Sequence, residues 1–327
     1  MCPSRGIVHF RPARVQPVKP ANPPADPPYY YCVMMFRPVD LHCHSTASDG
    51  SLPPAEVVRL AADAGLDAVA LTDHDTIDGL AEAAAAAADC GIDFLPGIEV
   101  SAAHPRPGTM HLLGYGFDPD HPAMRKLTGI LSAARGERAE RIVHRLRQLG
   151  INGPTGELSV ADIAREGGTG RPHFAAWLVR HGHAVSTNDA FKKFLGGGGA
   201  AYVENNPLGP EQIIPLVRAA GGLVSLAHPF QLRRQTFGQL EAMVRELAEM
   251  GMEGLETLHG SHDTEKVHAL TRLADRLELV PTGGSDFHGA SKPWIKLGQT
   301  AGGRMVPRSF YDDLRARLDR RRTIAAA

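Results

Sequence analysis

From Val39 onward, short apolar runs alternate with amphipathic stretches, and this alternation constrains the fold more than any other feature. Pro38–His42 is strand-like, and Pro53–Ala64 reads as a helix with proline in its first turn and Gly65 as its stop. Leu66–Thr72 reads as a buried strand, Ile77–Cys90 as a helix ended by Gly91, and Ile92–Val100 and Thr109–Tyr115 as further strands. The order resumes after residue 200. Helices are predicted over Glu211–Ala220, Phe237–Met250 and Asp263–Arg276, and strands over Gly222–Ala227, Met252–Leu258 and Leu279–Gly284. Repeated β-then-α units of this length predict an α/β fold on a parallel sheet, open or closed into a barrel.

Residues 124–200 interrupt the pattern with helices only. Ser159 is placed to cap Val160–Glu166, and Pro172–Arg180 and Asn188–Leu195 follow, before the Gly196–Gly199 run. This reads as an all-helical insertion dividing a barrel into parts 39–123 and 201–327. Residues 1–38 hold nine of the 25 prolines with five basic residues and one acid, and lack apolar periodicity. They are predicted to be a disordered tail, unless the true start is Met34 or Met35. No apolar run approaches the ~20 residues of a membrane helix, and Tyr29–Phe36 is too short for a secretory signal. The four cysteines form neither a disulfide framework nor a C-x-x-C pair. The expected setting is cytoplasmic, with no membrane and no obligate protein partner.

The chemistry lies in how the histidines are placed. In Asp40-Leu41-His42-Cys43-His44, residues i and i+2 of a strand face one side, so His42 and His44 can reach one metal ion while Cys43 points to the opposite face. Asp49 follows in a loop. Thr72-Asp73-His74-Asp75 ends the next strand, Glu99 ends the third, His111 sits on the fourth, and His228 ends a later one. Gly284-Ser285-Asp286-Phe287-His288 again offers an acid and a histidine two apart. Six histidines and three acids thus fall at or near predicted strand ends, where βα folds place their sites. Burying so many titratable groups together without cations would be costly. Asp40, Asp73 and Asp75 read as carboxylates that orient the histidines, or as residues that satisfy turn amides. His259 and His262 follow a strand, where one could approach a leaving group.

These motifs, with Gly97-Ile98-Glu99-Val100, resemble those of the polymerase and histidinol phosphatase (PHP) superfamily, over nearly everything after residue 38. Their order and the helical insertion look most like the branch containing 3′,5′-nucleoside bisphosphate phosphatase and RNase AM. The resemblance implies a distorted seven-stranded βα barrel, the (βα)7 PHP barrel, holding two to three divalent metal ions. It implies that His42, His44, Glu99 and Asp286 bind one ion, that Glu99 bridges to a second held by His111 and His228, and that Asp49, His74 and His288 bind a third. Mixed imidazole and carboxylate ligands favour Mn²⁺, with Zn²⁺ or Fe²⁺ as alternatives.

The formal charge of −1 conceals a division: the insertion carries +6, the tail +4 and the barrel portion −11. That polarity suits an anion held between barrel and insertion. Arg135 and Arg138 fall on the apolar stripe of Leu127, Leu131, Ile142 and Leu146, where inward-facing guanidinium groups need a partner such as phosphate. In Gly170-Arg171-Pro172-His173, proline opens a helix and places Arg171 at its positive end. Arg171 and His173 are therefore further candidate substrate contacts.

Together these predict a phosphoesterase in which a metal-bound hydroxide attacks phosphorus, with no residue identified as general acid. The resemblance implies hydrolysis of the 3′-phosphate of bisphosphonucleotides such as pAp, or 5′-3′ degradation of short 5′-phosphorylated RNA. The alternatives are a general phosphomonoesterase resembling histidinol phosphatase and a noncatalytic metal-stabilised nucleic-acid-binding module. The second is disfavoured because only 6% of residues are aromatic, too few for a run of base-stacking platforms.

Overall fold

The apolar runs become strands in the computed structural model, which describes residues 38–104, 108–165, 168–204 and 207–326. The strands are Pro38–Cys43 (β1), Ala68–Leu71 (β2), Asp93–Ala102 (β3), Met110–Tyr115 (β4), Leu223–Leu226 (β5), Gly254–Leu258 (β6), Val280–Gly283 (β7) and Val306–Pro307 (β8). They form one sheet in the order β7-β6-β5-β4-β3-β2-β1-β8. The segment after β7 then returns to β1: Asp286 N–H donates to the His42 carbonyl at 2.8 Å and His44 N–H to that of Phe287 at 2.9 Å. The sheet is therefore a nearly closed barrel. The predicted tail lies outside the described residues except for Pro38, which opens β1.

The expected α/β barrel is present, with the two-residue β8 added to its seven strands by antiparallel pairing with Pro38 and Val39. One expectation is corrected: the sheet is not wholly parallel, because β4 runs antiparallel to both β3 and β5. A strand that follows its predecessor after a short loop can pair antiparallel, whereas a parallel neighbour needs a long crossover. The reversal explains His111: it is the second residue of β4, yet it lies at the rim where its antiparallel neighbours β3 and β5 end.

Inside the barrel, Val39, Leu41, Ala70, Leu95, Leu113 and Tyr115 form an apolar plug with Tyr311, Leu314 and Leu318. The last three come from the helix Arg308–Ala326, for which the sequence reading assigned no element. A larger core, including Val57, Ala83, Ile98, Val217 and Leu273, joins the strands' outer faces to the surrounding helices. The register shift between Asp40 and Cys43 lets Leu41 join the inner plug while its neighbour His42 meets inner acids. Cys43 is fully buried in the outer core, as its strand face predicts.

The stripe that carries Arg135 and Arg138 lies on one continuous helix, Pro122–Gln148, which enters two cores. Met124, Leu127 and Leu131 pack with the barrel's outer core, whereas Ala139, Ile142, Val143 and Leu146 pack with Phe174, Trp177 and Leu178 of the helix Arg171–Arg180. A boundary at residue 124 thus falls inside one helix. Ser159 caps the helix Val160–Ala164 in a capping box with Asp162. Among the described residues no helix is long and apolar enough to cross a membrane.

Candidate metal centre

The barrel's rim gathers all nine predicted ligands, and Glu99 stands at their centre. Its Oε1 lies 2.8 Å from His111 Nδ1 and 2.9 Å from His228 Nε2. Its Oε2 lies 3.0 Å from His74 Nδ1, 3.3 Å from His44 Nε2 and 3.4 Å from His42 Nε2. Asp286 Oδ1 is 3.3 Å from His44 Nε2 and 3.7 Å from His42 Nε2. Asp49 lies 3.3 Å from His288 Nε2 and faces His44 and His74 at 3.9 and 4.0 Å.

Local backbone explains how short loops deliver these groups. Asp75, His228 and Asp286 adopt positive φ angles of 57°, 27° and 60°, which non-glycine residues occupy only when surrounding structure compels it. Gly284 is required by close approach: a Cβ there would collide with His42 and with Asp40 Oδ1.

Electrostatics prepares the cluster for cations. Burial and the neighbouring His288 push the His44 pKa down to about 3, and burial carries His228 down to about 4, so both rings are neutral with free lone pairs at pH 7. Burial opposes charge on Glu99 too, but His74, His111 and His42 outweigh it and hold the carboxyl well below its usual range. Despite its own burial, His74 is raised to about 9 by Glu99 and Asp49.

The donor set fits metal ions on an observation independent of any family. His42 Nε2, both nitrogens of His44, His74 Nδ1, Glu99 Oε2, His228 Nδ1 and His259 Nε2 are buried without hydrogen-bond partners. Such atoms are rare in folded proteins unless an ion or water completes them. Overlapping groups of donor atoms lie within 4.8 Å of one another: His44, Asp49, His74 and His288; His42, His44 and Asp286; His42, Glu99 and His228; His74, Glu99 and His111. The cluster is capable of binding metal.

The structure reassigns the three predicted orienting aspartates. Asp40 accepts from the backbone of His42, Ser285 and Gly298 and from the Ser285 hydroxyl. Asp73 accepts from the Ser45 backbone and the hydroxyls of Ser45 and Ser48. Asp75 accepts from the Ser101 backbone and from Arg135. They fasten the loops that carry the ligands rather than the imidazole rings.

A carboxylate that does orient a ring is Glu256, which the sequence reading did not single out. Its Oε1 lies 2.8 Å from His42 Nδ1, and its Oε2 accepts the His228 N–H at 2.6 Å. That leaves His42 Nε2 facing Glu99. Although buried, Glu256 has its pKa lowered to about 2 by His42 and His259. A lone acid inside the fully buried strand Gly254–Leu258 was the available signal. His259, 3.6 Å from Asp286, follows the same strand end, and Lys292 donates to Asp286 at 2.9 Å. Glu256→Gln is expected to weaken metal binding by about 10- to 100-fold, as loss of a partner behind a metal-binding histidine does. Competition with a chromophoric chelator measures this, and unchanged affinity would refute the role.

Beside the cluster, a cavity of about 480 Å³ is lined by His111, Arg138, Arg171, Tyr202, Glu204 and Arg233 among others. Arg138 Nε is buried without a hydrogen-bond partner, and burial beside Arg171 lowers this guanidinium to about 10. Arg171 opens its helix, with its guanidinium 5.9 Å from the Phe191 ring. Arg135 is engaged differently, donating to Asp75 at 3.1 Å and to the His74 carbonyl. His173 is buried in the same helix, with its ring against Gly168. Arg233, held at a φ of 50°, is a lining cation that the sequence reading missed.

The PHP domain family matches residues 40–159. A 5′-3′ exoribonuclease of Haemophilus influenzae is 37% identical, covering 81% of this chain and 94% of that protein. A 3′,5′-nucleoside bisphosphate phosphatase of Chromobacterium violaceum is 36% identical over 86% of this chain and 97% of its own length. Among solved structures, a Bifidobacterium adolescentis chain named as a metal-dependent phosphoesterase superposes with a TM-score of 0.74 at 30% identity, covering 86% of this chain and 96% of that one. The rim of histidines and acids and these near full-length matches lead to one conclusion: the chain belongs to the PHP domain family.

Proposed function

We propose that this protein is a metal-dependent phosphoesterase that removes the 3′-phosphate from 3′,5′-bisphosphonucleotides and trims short RNA from a 5′-phosphorylated end. The observation that carries the reading is Arg138, a half-buried side chain with a buried, partnerless Nε in a cavity that meets the histidine cluster at His111. Two cationic side chains, Arg138 and Arg171, would hold a terminal 5′-phosphate there, which a guanidinium fork matches in shape and charge. Arg135 and Asp75 support the His74 loop, and Arg135 is a contact for the same phosphate once that pair opens.

Two to three divalent ions, Mn²⁺ foremost, are assigned to the nine ligands. His42, His44, Glu99 and Asp286 take one, Glu99, His111 and His228 a second, and Asp49, His74 and His288 a third. Bound there, such ions acidify water and neutralise charge developing on a phosphoryl group. The protein's own part is to fix the ligands, keep His44 and His228 neutral and seat the 5′-phosphate so that the neighbouring 3′-phosphate meets the cluster.

Purified protein with Mn²⁺ is expected to release inorganic phosphate from pAp and to shorten a 5′-phosphorylated oligoribonucleotide, but not its 5′-hydroxyl counterpart. Inactivity on both phosphorylated substrates would overturn the reading, as would equal rates on the two oligonucleotides.

A further inference from the structure

A second cavity, of about 480 Å³, meets the cluster elsewhere, at His259 and Asp286 rather than at His111. Its remaining lining includes Trp294, Lys296, Gln299 and Thr300, and it shares Gln231 with the arginine-lined cavity. Trp294 is 76% exposed. A large aromatic so placed, beside a lysine and hydroxyl and amide groups, has the makeup of a nucleobase platform.

We infer that this cavity receives the second nucleoside of a 5′-phosphorylated RNA, with Trp294 stacking on its base and Lys296 facing its backbone. The inference rests on the phosphoesterase reading above and deepens it. Hydrolysis of pAp and of RNA is then one reaction on two substituents. Water supplies the hydroxyl that joins phosphorus, the bond from phosphorus to the first nucleotide's 3′-oxygen breaks, and that oxygen departs with the water's other proton. In pAp the scissile phosphate carries nothing further. In RNA it carries the 5′-carbon of the next nucleoside, which needs space beyond the cluster. The phosphate stays on that nucleoside, so each turn leaves a new 5′-phosphate for Arg138 and Arg171 to seat.

The test compares pAp with the 5′-phosphorylated dinucleotide pApA on wild type, Trp294→Ala and Trp294→Phe, all loaded with Mn²⁺. Base–aromatic stacking of ordinary strength predicts that Trp294→Ala lowers kcat/KM for pApA about tenfold more than for pAp, and that Trp294→Phe recovers most of the loss. Equal losses on both substrates, or no loss on pApA, would overturn the subsite. The chain's other tryptophan, Trp177, is buried, so the emission difference between wild type and Trp294→Phe reports Trp294. Quenching of that difference by pApA and not by pAp supports the subsite even if neither compound is turned over, an outcome that would remove the phosphoesterase reading alone. Absence of quenching by pApA would count against the subsite.

Discussion

Replacing Glu99 with Gln is expected to lower kcat on pAp by at least about 10³-fold and to reduce bound metal per chain, because catalysis through clustered ions is worth several kcal/mol. Among the described residues no other carboxylate touches as many of the candidate ligands: five imidazoles lie within 3.4 Å of its two oxygens. The substitution keeps the shape while removing the negative charge that draws cations into a rim crowded with histidines. One carboxamide nitrogen would also point at imidazole nitrogens where an acceptor stood. Metal analysis and kcat on the same preparation check this, and full metal content with wild-type turnover would refute it.

Arg138→Ala is expected to raise KM for pAp by about 10- to 100-fold, the loss of a charge-assisted hydrogen bond or two, while leaving KM for a simple phosphomonoester within about threefold. Stability should move in the opposite sense to function. The side chain is half-buried, its buried Nε lacks a partner, and partial burial and the neighbouring Arg171 disfavour its charge. Removing it from the ligand-free protein is therefore expected to leave the melting temperature unchanged or raise it. Arg138→Lys would keep a charge without the planar fork and recover only part of the affinity. Equal KM effects on both substrates would instead favour a general phosphomonoesterase.

Much of the site was legible because metal-binding chemistry needs particular side chains at particular strand positions. His42 and His44 could be paired from strand period alone, and Asp286 and His288 recur at the same spacing. The resemblance gave Glu99 a bridging place, but no local pattern could show its contact with five imidazoles, because they come from four separate stretches of chain. Glu256 was hidden for a related reason. Its strand reads as ordinary core, and only the sheet order β7-β6-β5 and the turn of β1 bring its carboxylate to His42 and to the backbone of His228. Arg135 and Arg138 were predicted from one helical stripe as equivalents. The fold separates them, giving Arg135 a carboxylate and leaving Arg138 Nε unpartnered in the cavity.

The sequence by itself determined the order of elements from β1 to β7, the run of helices that interrupts them, the nine candidate ligand positions at or near strand ends and the local concentration of positive charge. These follow from hydrophobic periodicity and residue chemistry, which act over a few neighbouring residues. The tertiary structure alone decided that β4 runs antiparallel, that the helix Arg308–Ala326 plugs the barrel, that Asp40, Asp73 and Asp75 bind loops instead of rings, and that Glu256 stands behind His42. Each of those depends on which distant segments the closing barrel brings within hydrogen-bond range. No local pattern carries that information, because a carboxylate in a strand looks the same whatever faces it across the barrel.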